Sequence, residues 1–331
     1  MFKKILIMSL LFFLLGACAQ EVEEPEPEPI EEPTPEPEIN VFNGSVTDDQ
    51  TYQAVAVMIG NTSHARPQSG LSMADVVYEI SVETMTITRY MAIFEGEFPE
   101  KVGPIRSIRL PFVTMLDEWD VGIAHFGGAS KGEGDAMSAL EAMYVPIRYD
   151  GVLNINTDYF WRDDTRIAPH NAYMNLSEAS EDLPDMWPRE HFNFVDEYTY
   201  VGEDATEIDI NYTPSIRNGY EYDSSINRYV KSLNDEECID EYNDEPVIVT
   251  NIVVQHADHK MVEEAQYVLV NFFYAGDAEY FIGGKHIKGK WVKDFRGDTT
   301  HFLDLEGNPM PFLNGNTWIH IVHDEVEIEY E

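Results

Sequence analysis

The spacing of apolar and polar positions changes character along the 331 residues. Ile5 to Leu15 is an apolar run interrupted only by Ser9, and the next stretch has almost no apolar positions. From residue 54 onward, short apolar runs alternate with breaks rich in glycine, asparagine and proline. Ala54 to Ile59, ended by Gly60-Asn61, predicts a buried strand. Val76 to Ile80, Thr86 to Phe94 and Val121 to Phe126 predict further strands. Ser72 to Asp75 can cap a short helical turn. Pro111 is placed to open a helix, with Phe112, Leu116 and Trp119 recurring at helical spacing. Asp135 to Met143 predicts a second helix, reached through the glycine-rich loop Gly127 to Gly134.

The rhythm changes again after Leu176, where the chain becomes acidic and rich in Tyr, Asn and Asp. Ser177 to Leu183 predicts a short helix stopped by Pro184. Tyr198 to Val201, Glu207 to Tyr212 and Asn227 to Lys231 predict strands, with Asn218-Gly219 as a turn. Part of this region is expected to return to the first sheet. Pro246 to Gln255, Val268 to Tyr274, Ala278 to Ile282, His286 to Trp291, Thr300 to Leu303 and Thr317 to Val322 then predict a strand-rich module, punctuated by glycine-containing turns at hairpin spacing. The fold class expected is α+β: a mixed-sheet N-terminal domain with flanking helices and a smaller, mainly-β C-terminal domain.

Charge narrows the partners. With 61 acidic against 21 basic residues the formal charge is −40, which repels polyanions and argues against nucleic acid. Lys285, Lys288, Lys290, Lys293 and Arg296 form the one basic cluster of the mature chain. It reads either as protection of a sheet edge or as a surface for anionic wall polymer or lipid headgroups.

The N-terminus carries an address. Lys3-Lys4 before the apolar run make the n- and h-regions of a signal peptide, too short for a comfortable membrane span. Leu15-Gly16-Ala17-Cys18 has the residue types, order and position of a bacterial lipobox, which makes Cys18 the expected lipidation site. Residues 19–40 hold nine glutamates, six prolines and no basic residue, the composition of an extended, solvated spacer. The expected location is the outer face of a bacterial membrane, held by acyl chains. Cys238 remains as a single thiol in acidic surroundings, without an internal disulfide partner.

Candidate chemistry concentrates between Arg66 and Asn171. Arg89, Arg106, Arg109, Arg162 and Arg166 lie beside aliphatic, aromatic or glycine residues, where a guanidinium needs a carboxylate, carbonyls or an anionic ligand. Arg66, in a turn-rich loop, joins Arg89, Arg106, Arg109 and Arg162 as a candidate ligand-binding residue. Glu79, Glu83, Asp163 and Asp164 could supply internal ion pairs, and a carboxylate or phosphate pocket is the other reading. His125 ends a predicted strand and His170 opens a loop, both frequent places for chemistry. No metal-ligand spacing of the His-Glu-x-x-His kind, no Gly-x-Ser-x-Gly elbow and no phosphate-loop or dinucleotide fingerprint is present. His256-Ala257-Asp258-His259 reads as a polar loop after a strand. No metal and no cofactor is expected.

Arg66 to Leu71, Asp75 to Glu79, Ile87-Thr88-Arg89, Gly103 to Arg109, His125 with Gly127-Gly128, Phe160-Trp161-Arg162 and Ala168 to Asn171 together resemble the YerB-like family of bacterial lipoproteins. Gly284-Lys285, Gly289 to Trp291 and Asn316 to Ile319 resemble that family's C-terminal domain. The resemblance implies an N-terminal α/β-type domain, placed over 46–200, and a separate C-terminal domain, over 246–331. The residue pattern adds a signal peptide over 1–17, a lipidated, disordered tether over 18–45 and an acidic connector over 201–245. It supplies no activity and no catalytic residue. Two functions follow as expectations. One is a non-enzymatic binding protein at the cell envelope, with an Arg/His-lined anion pocket and a cell-wall or envelope-protein partner. The other is an envelope-acting hydrolase using His125 and His170 with an arginine clamp.

Overall fold

A computed structural model describes residues 38–47, 52–187, 189–262 and 267–331. The signal segment, Cys18 and most of the tether lie outside the described residues. Among those described, no helix is long and apolar enough to cross a membrane.

The architecture is mostly β, organised by one mixed sheet. In chain order its principal strands are β1 (Ala54–Gly60), β2 (Val76–Val82), β3 (Ile87–Glu95), β4 (Gly122–His125) and β5 (Arg148–Asp150), then β6 (Glu203–Asp204). A second sheet takes β7 (Glu207–Thr213), β8 (Ile216–Asp223) and β9 (Arg228–Leu233). The first sheet resumes with β10 (Asn251–His256), β11 (Tyr274–Ile282), β12 (Lys285–Lys293) and β13 (Thr317–Val322), and β14 (Glu327–Tyr330) returns to the second. The large sheet runs β6-β12-β11-β10-β13-β2-β3-β1-β4-β5, with His301–Asp304 also paired to β12. The two halves of the chain meet where β13 lies parallel to β2, Thr317 opposite Val76 and Ile321 opposite Ile80.

Both faces of this sheet are covered, which is why its strands read as continuous apolar runs. Ala56, Met58, Tyr78, Ile80, Ile123 and Ile319 pack on one side against Phe112 and Leu116 of α1 (Leu110–Leu116) and Leu140 of α2 (Ala136–Glu141). Val55, Val57, Val77, Tyr90 and Trp318 pack on the other against Ile208, Ile210, Tyr220 and Tyr229 of the second sheet. The helices are short, so the flanking layer is built largely from strands and loops. Pro111 sits in the first turn of α1, and the Asp135 carboxylate caps α2 by accepting from Ser138 N at 2.9 Å.

Several expectations are corrected. Ordered structure reaches back into the expected tether: Phe42 is fully buried, stacked on Tyr52 and Trp119, because one aromatic ring outweighs the polar residues around it. Asn218-Gly219 is the middle of β8 and no turn; a Cβ on Gly219 would meet Ser232 Oγ across the strands, a hydroxyl that would have to rotate away. Tyr198 to Val201 forms no strand, and β6 begins two residues later. The basic cluster guards no free edge. Its strand, β12, is paired to β6, β11 and His301–Asp304, while Lys285, Lys293 and Arg296 are spent on Asp204, Glu118 and Asp117.

Candidate anion-binding site

Strands β1, β2, β4, β5, β10 and β13 point the same way: β1 is parallel to β4, β4 to β5 and β13 to both β2 and β10, while β3 opposes β1 and β2. Their carboxyl ends therefore share one rim, the usual place for ligands in sheets with parallel strands. Residues 103–109 are laid across that rim. Gly60 N donates to Pro104 O (3.0 Å), Arg106 N to Met58 O (2.8 Å), Phe126 N to Arg106 O (3.0 Å) and Ile108 N to Gly127 O (3.0 Å). Gly103 adopts φ +149°, and a Cβ there would stand 2.9 Å from Ala172 O.

This threading brings three arginines around one carboxylate. Arg89, on β3, is buried; its Nη1 donates to Ser107 O and its Nη2 lies 3.3 Å from Glu83 Oε1. Arg109 Nη2 donates to that same Glu83 oxygen and its Nη1 to Ile108 O (3.0 Å), while its buried Nε has no partner. Arg106 donates to Pro169 O at 2.8 Å. Glu83, Thr84 and Met85, joining β2 to β3, have φ of 30°, 61° and 58°, a strained run that holds the carboxylate over the rim.

The charges do not balance. Burial pulls the Arg89 guanidinium down to about 9, Glu83 opposes this, and Arg109 and Arg106 add to it; all three arginines stay cationic at neutral pH. Burial disfavours ionised Glu83, but Arg89 and Arg109 outweigh it and hold its carboxyl below the usual range. Among the described residues, three cations thus face one anion, in a protein whose formal charge is −40. His170 joins them. Its Nδ1 lies 3.2 Å from Thr62 Oγ1 and its ring stacks on His64; burial, then Arg106 and His64, depress its pKa, so the imidazole is neutral.

The remaining expected site residues fall elsewhere. Arg66 turns away, donating to Asn61 Oδ1 (3.2 Å) and Asn61 O (2.8 Å), and lines a separate cavity. Arg162 is exposed, bonded to Asn171 Oδ1 (2.7 Å) and lying over the Phe126 ring. His125 is fully buried: Nδ1 donates to Gly127 O (2.8 Å) and Nε2 accepts from Arg148 Nε (3.1 Å). Both ring nitrogens are occupied and neither partner is shared with His170. The acid/base pair of the hydrolase expectation is therefore not assembled. Among the described residues no group of three or more His, Cys, Asp or Glu side chains could hold a metal ion.

Sequence reasoning missed Lys231, whose amine is buried at the floor of the cavity that Arg66 lines. The signal was present in β9, where Tyr229, Lys231 and Leu233 occupy the inward positions.

The class these observations define is a mixed-sheet, two-part protein with a cationic rim site. Family models match its two parts: the N-terminal domain of "Protein of unknown function (DUF3048)" matches residues 42–188 and its C-terminal domain matches residues 208–319. The chain belongs to this family, the YerB-like proteins. It is 30% identical over 334 residues to "Putative lipoprotein YerB" of Bacillus subtilis (strain 168), covering 95% of this chain and 92% of that protein. The crystal structure of YerB from Bacillus subtilis superposes with a TM-score of 0.75 at 29% identity, over 88% of this chain and 99% of that one.

Proposed function

We propose that this protein is a lipid-anchored, extracytoplasmic binding protein whose Arg89–Arg106–Arg109 site takes an anionic group, carboxylate or phosphate, of an envelope molecule or partner. The observation that supports the reading is the charge balance among the described residues: three guanidinium groups and a neutral imidazole around one carboxylate, that of Glu83. Guanidinium forks suit planar or tetrahedral oxyanions, and Arg109 Nε is a donor still without an acceptor. The lipobox at Cys18 and the printed name of the Bacillus subtilis relative support anchoring at the membrane surface. The Glu/Pro spacer would hold the site away from that surface.

Calorimetric titration of the full-length protein with inorganic phosphate and acetate, at fixed ionic strength, tests the reading. Saturable binding that weakens at least tenfold in Arg106→Gln is expected. Absence of binding for both anions, or equal binding by the variant, rejects it.

A further inference from the structure

A second site lies away from the arginine rim. The loop from Ser63 to Leu71 and the strand-and-turn region from Lys231 to Val247 enclose a cavity of about 470 Å³, within the range of small-molecule sites. Its wall is mixed: Leu71, Tyr90, Leu233, Val247 and Trp318 supply apolar surface, beside polar groups that include Gln68, Lys231 and Glu236.

At its floor sits a buried lysine with no direct counter-ion. Lys231 Nζ donates to Asn218 Oδ1 and, at 3.2 Å, to Tyr220 OH, both neutral acceptors. The ammonium lies over the rings of Tyr220 and Trp318 at 4.5 and 4.8 Å. An ammonium has three donors, so one proton is left without a protein acceptor among the described residues. The Trp318 indole N–H, on the same wall, is buried and also without a partner.

The carboxylate coupled to Lys231 is reached only through other groups. Tyr220 OH bonds His320 Nε2 at 2.7 Å, and His320 Nδ1 lies 3.3 Å from Glu79 Oε2. Glu79 is held in turn by Asn61 Nδ2 (3.0 Å) and Thr88 Oγ1 (2.5 Å). This relay fixes Lys231 in place but leaves its charge unpaired at close range. The Cys238 thiol, also lining the cavity, does not supply the anion, because burial pushes its pKa up against the pull of Lys231. Burial lowers the Lys231 pKa, and an anion seated on its spare donor would hold the amine in its charged form. Glu236 and Glu237 also line the cavity beside Arg66, and their exposed carboxylates disfavour a polyanion more than a monoanion, while Asp240 is buried and accepts from Gly70 N and from Ser72 N and Oγ.

We infer that this cavity binds a small organic monoanion: a carboxylate head seated on Lys231, with an aliphatic or aryl body against Leu71, Tyr90, Leu233, Val247 and Trp318.

The test is calorimetric titration of the full-length protein with hexanoate and phenylacetate, using hexan-1-ol and hexylamine as neutral and cationic probes. Hexanoate should bind at least tenfold more tightly than either control. Lys231→Met should remove at least tenfold of that preference. Equal binding of hexanoate and hexan-1-ol to the unmodified protein overturns the inference without any variant. No heat from any probe also overturns it, as does a hexanoate preference that survives in folded Lys231→Met. If Lys231→Met does not fold, Leu233→Trp fills the cavity from a half-apolar wall; hexanoate binding that survives it rejects the site. Phosphate binding at the arginine rim is independent of every one of these outcomes.

Discussion

Replacing Glu83 by Gln separates the two roles that its carboxylate plays. The substitution keeps the side-chain shape but removes the charge shared by Arg89 and Arg109. Arg89 is buried, and its other hydrogen bond goes to a neutral carbonyl, Ser107 O. Breaking a fully buried pair from one side costs about 3–5 kcal/mol. Glu83 keeps 26% side-chain exposure, so water and the new amide oxygen recover part of this, and a loss of about 2–3 kcal/mol is expected. If the rim binds anions, the variant has lost its internal competitor and phosphate should bind it more tightly. A ligand at 100 times its Kd returns about 2.7 kcal/mol of stability, close to the loss itself. Urea unfolding followed by tryptophan fluorescence at pH 7, in phosphate and in chloride of matched ionic strength, measures both effects. The reasoning is refuted if the variant is as stable as the parent. It is equally refuted if phosphate raises the stability of parent and variant by the same amount.

Other consequences follow from the same geometry. Lys293 Nζ and Glu118 Oε1, both buried, meet at 2.6 Å between β12 and the end of α1. Lys293→Met should cost about 3–5 kcal/mol in denaturant unfolding, and adding Glu118→Gln should recover most of it; a purely additive double variant would contradict this. Burial disfavours ionised Glu279, but hydrogen bonds from His256 and His286 outweigh it and hold its carboxyl at about 2. Its contribution is full above the ordinary glutamate value of about 4.3 and lost as pH falls toward about 2. The stability gap between the parent and Glu279→Gln should close across that window, and a pH-independent gap would count against the ion pairs. Cys18→Ala should move the protein out of the detergent-extracted membrane fraction and abolish labelling by a fatty-acid analogue; retention of label would exclude Cys18 as the acylated residue.

What the sequence determined by itself is whatever depends on local order. The apolar runs at Ala54 to Ile59 and Thr317 to Val322 become strands because a residue buried on both faces must be apolar, whatever its neighbours. Pro111 and Asp135 mark helix starts through their own backbone and side-chain chemistry. Arg89, Arg106 and Arg109 were conspicuous because guanidinium groups stand among apolar residues there. Only the tertiary structure decided which of the five arginines converge, since that depends on segment 103–109 crossing the ends of β1 and β4. His125 and His170 look alike in sequence. One strand position buries the first with both nitrogens occupied, while a loop carries the second to the rim. Lys231 is the sharper case. Its setting is made by Trp318, Tyr220 and the loop at Leu71, which are far apart in the chain and brought together by the packing of one sheet on another. Periodicity reports which side of a strand faces inward; what waits there is set by contacts that no local pattern encodes.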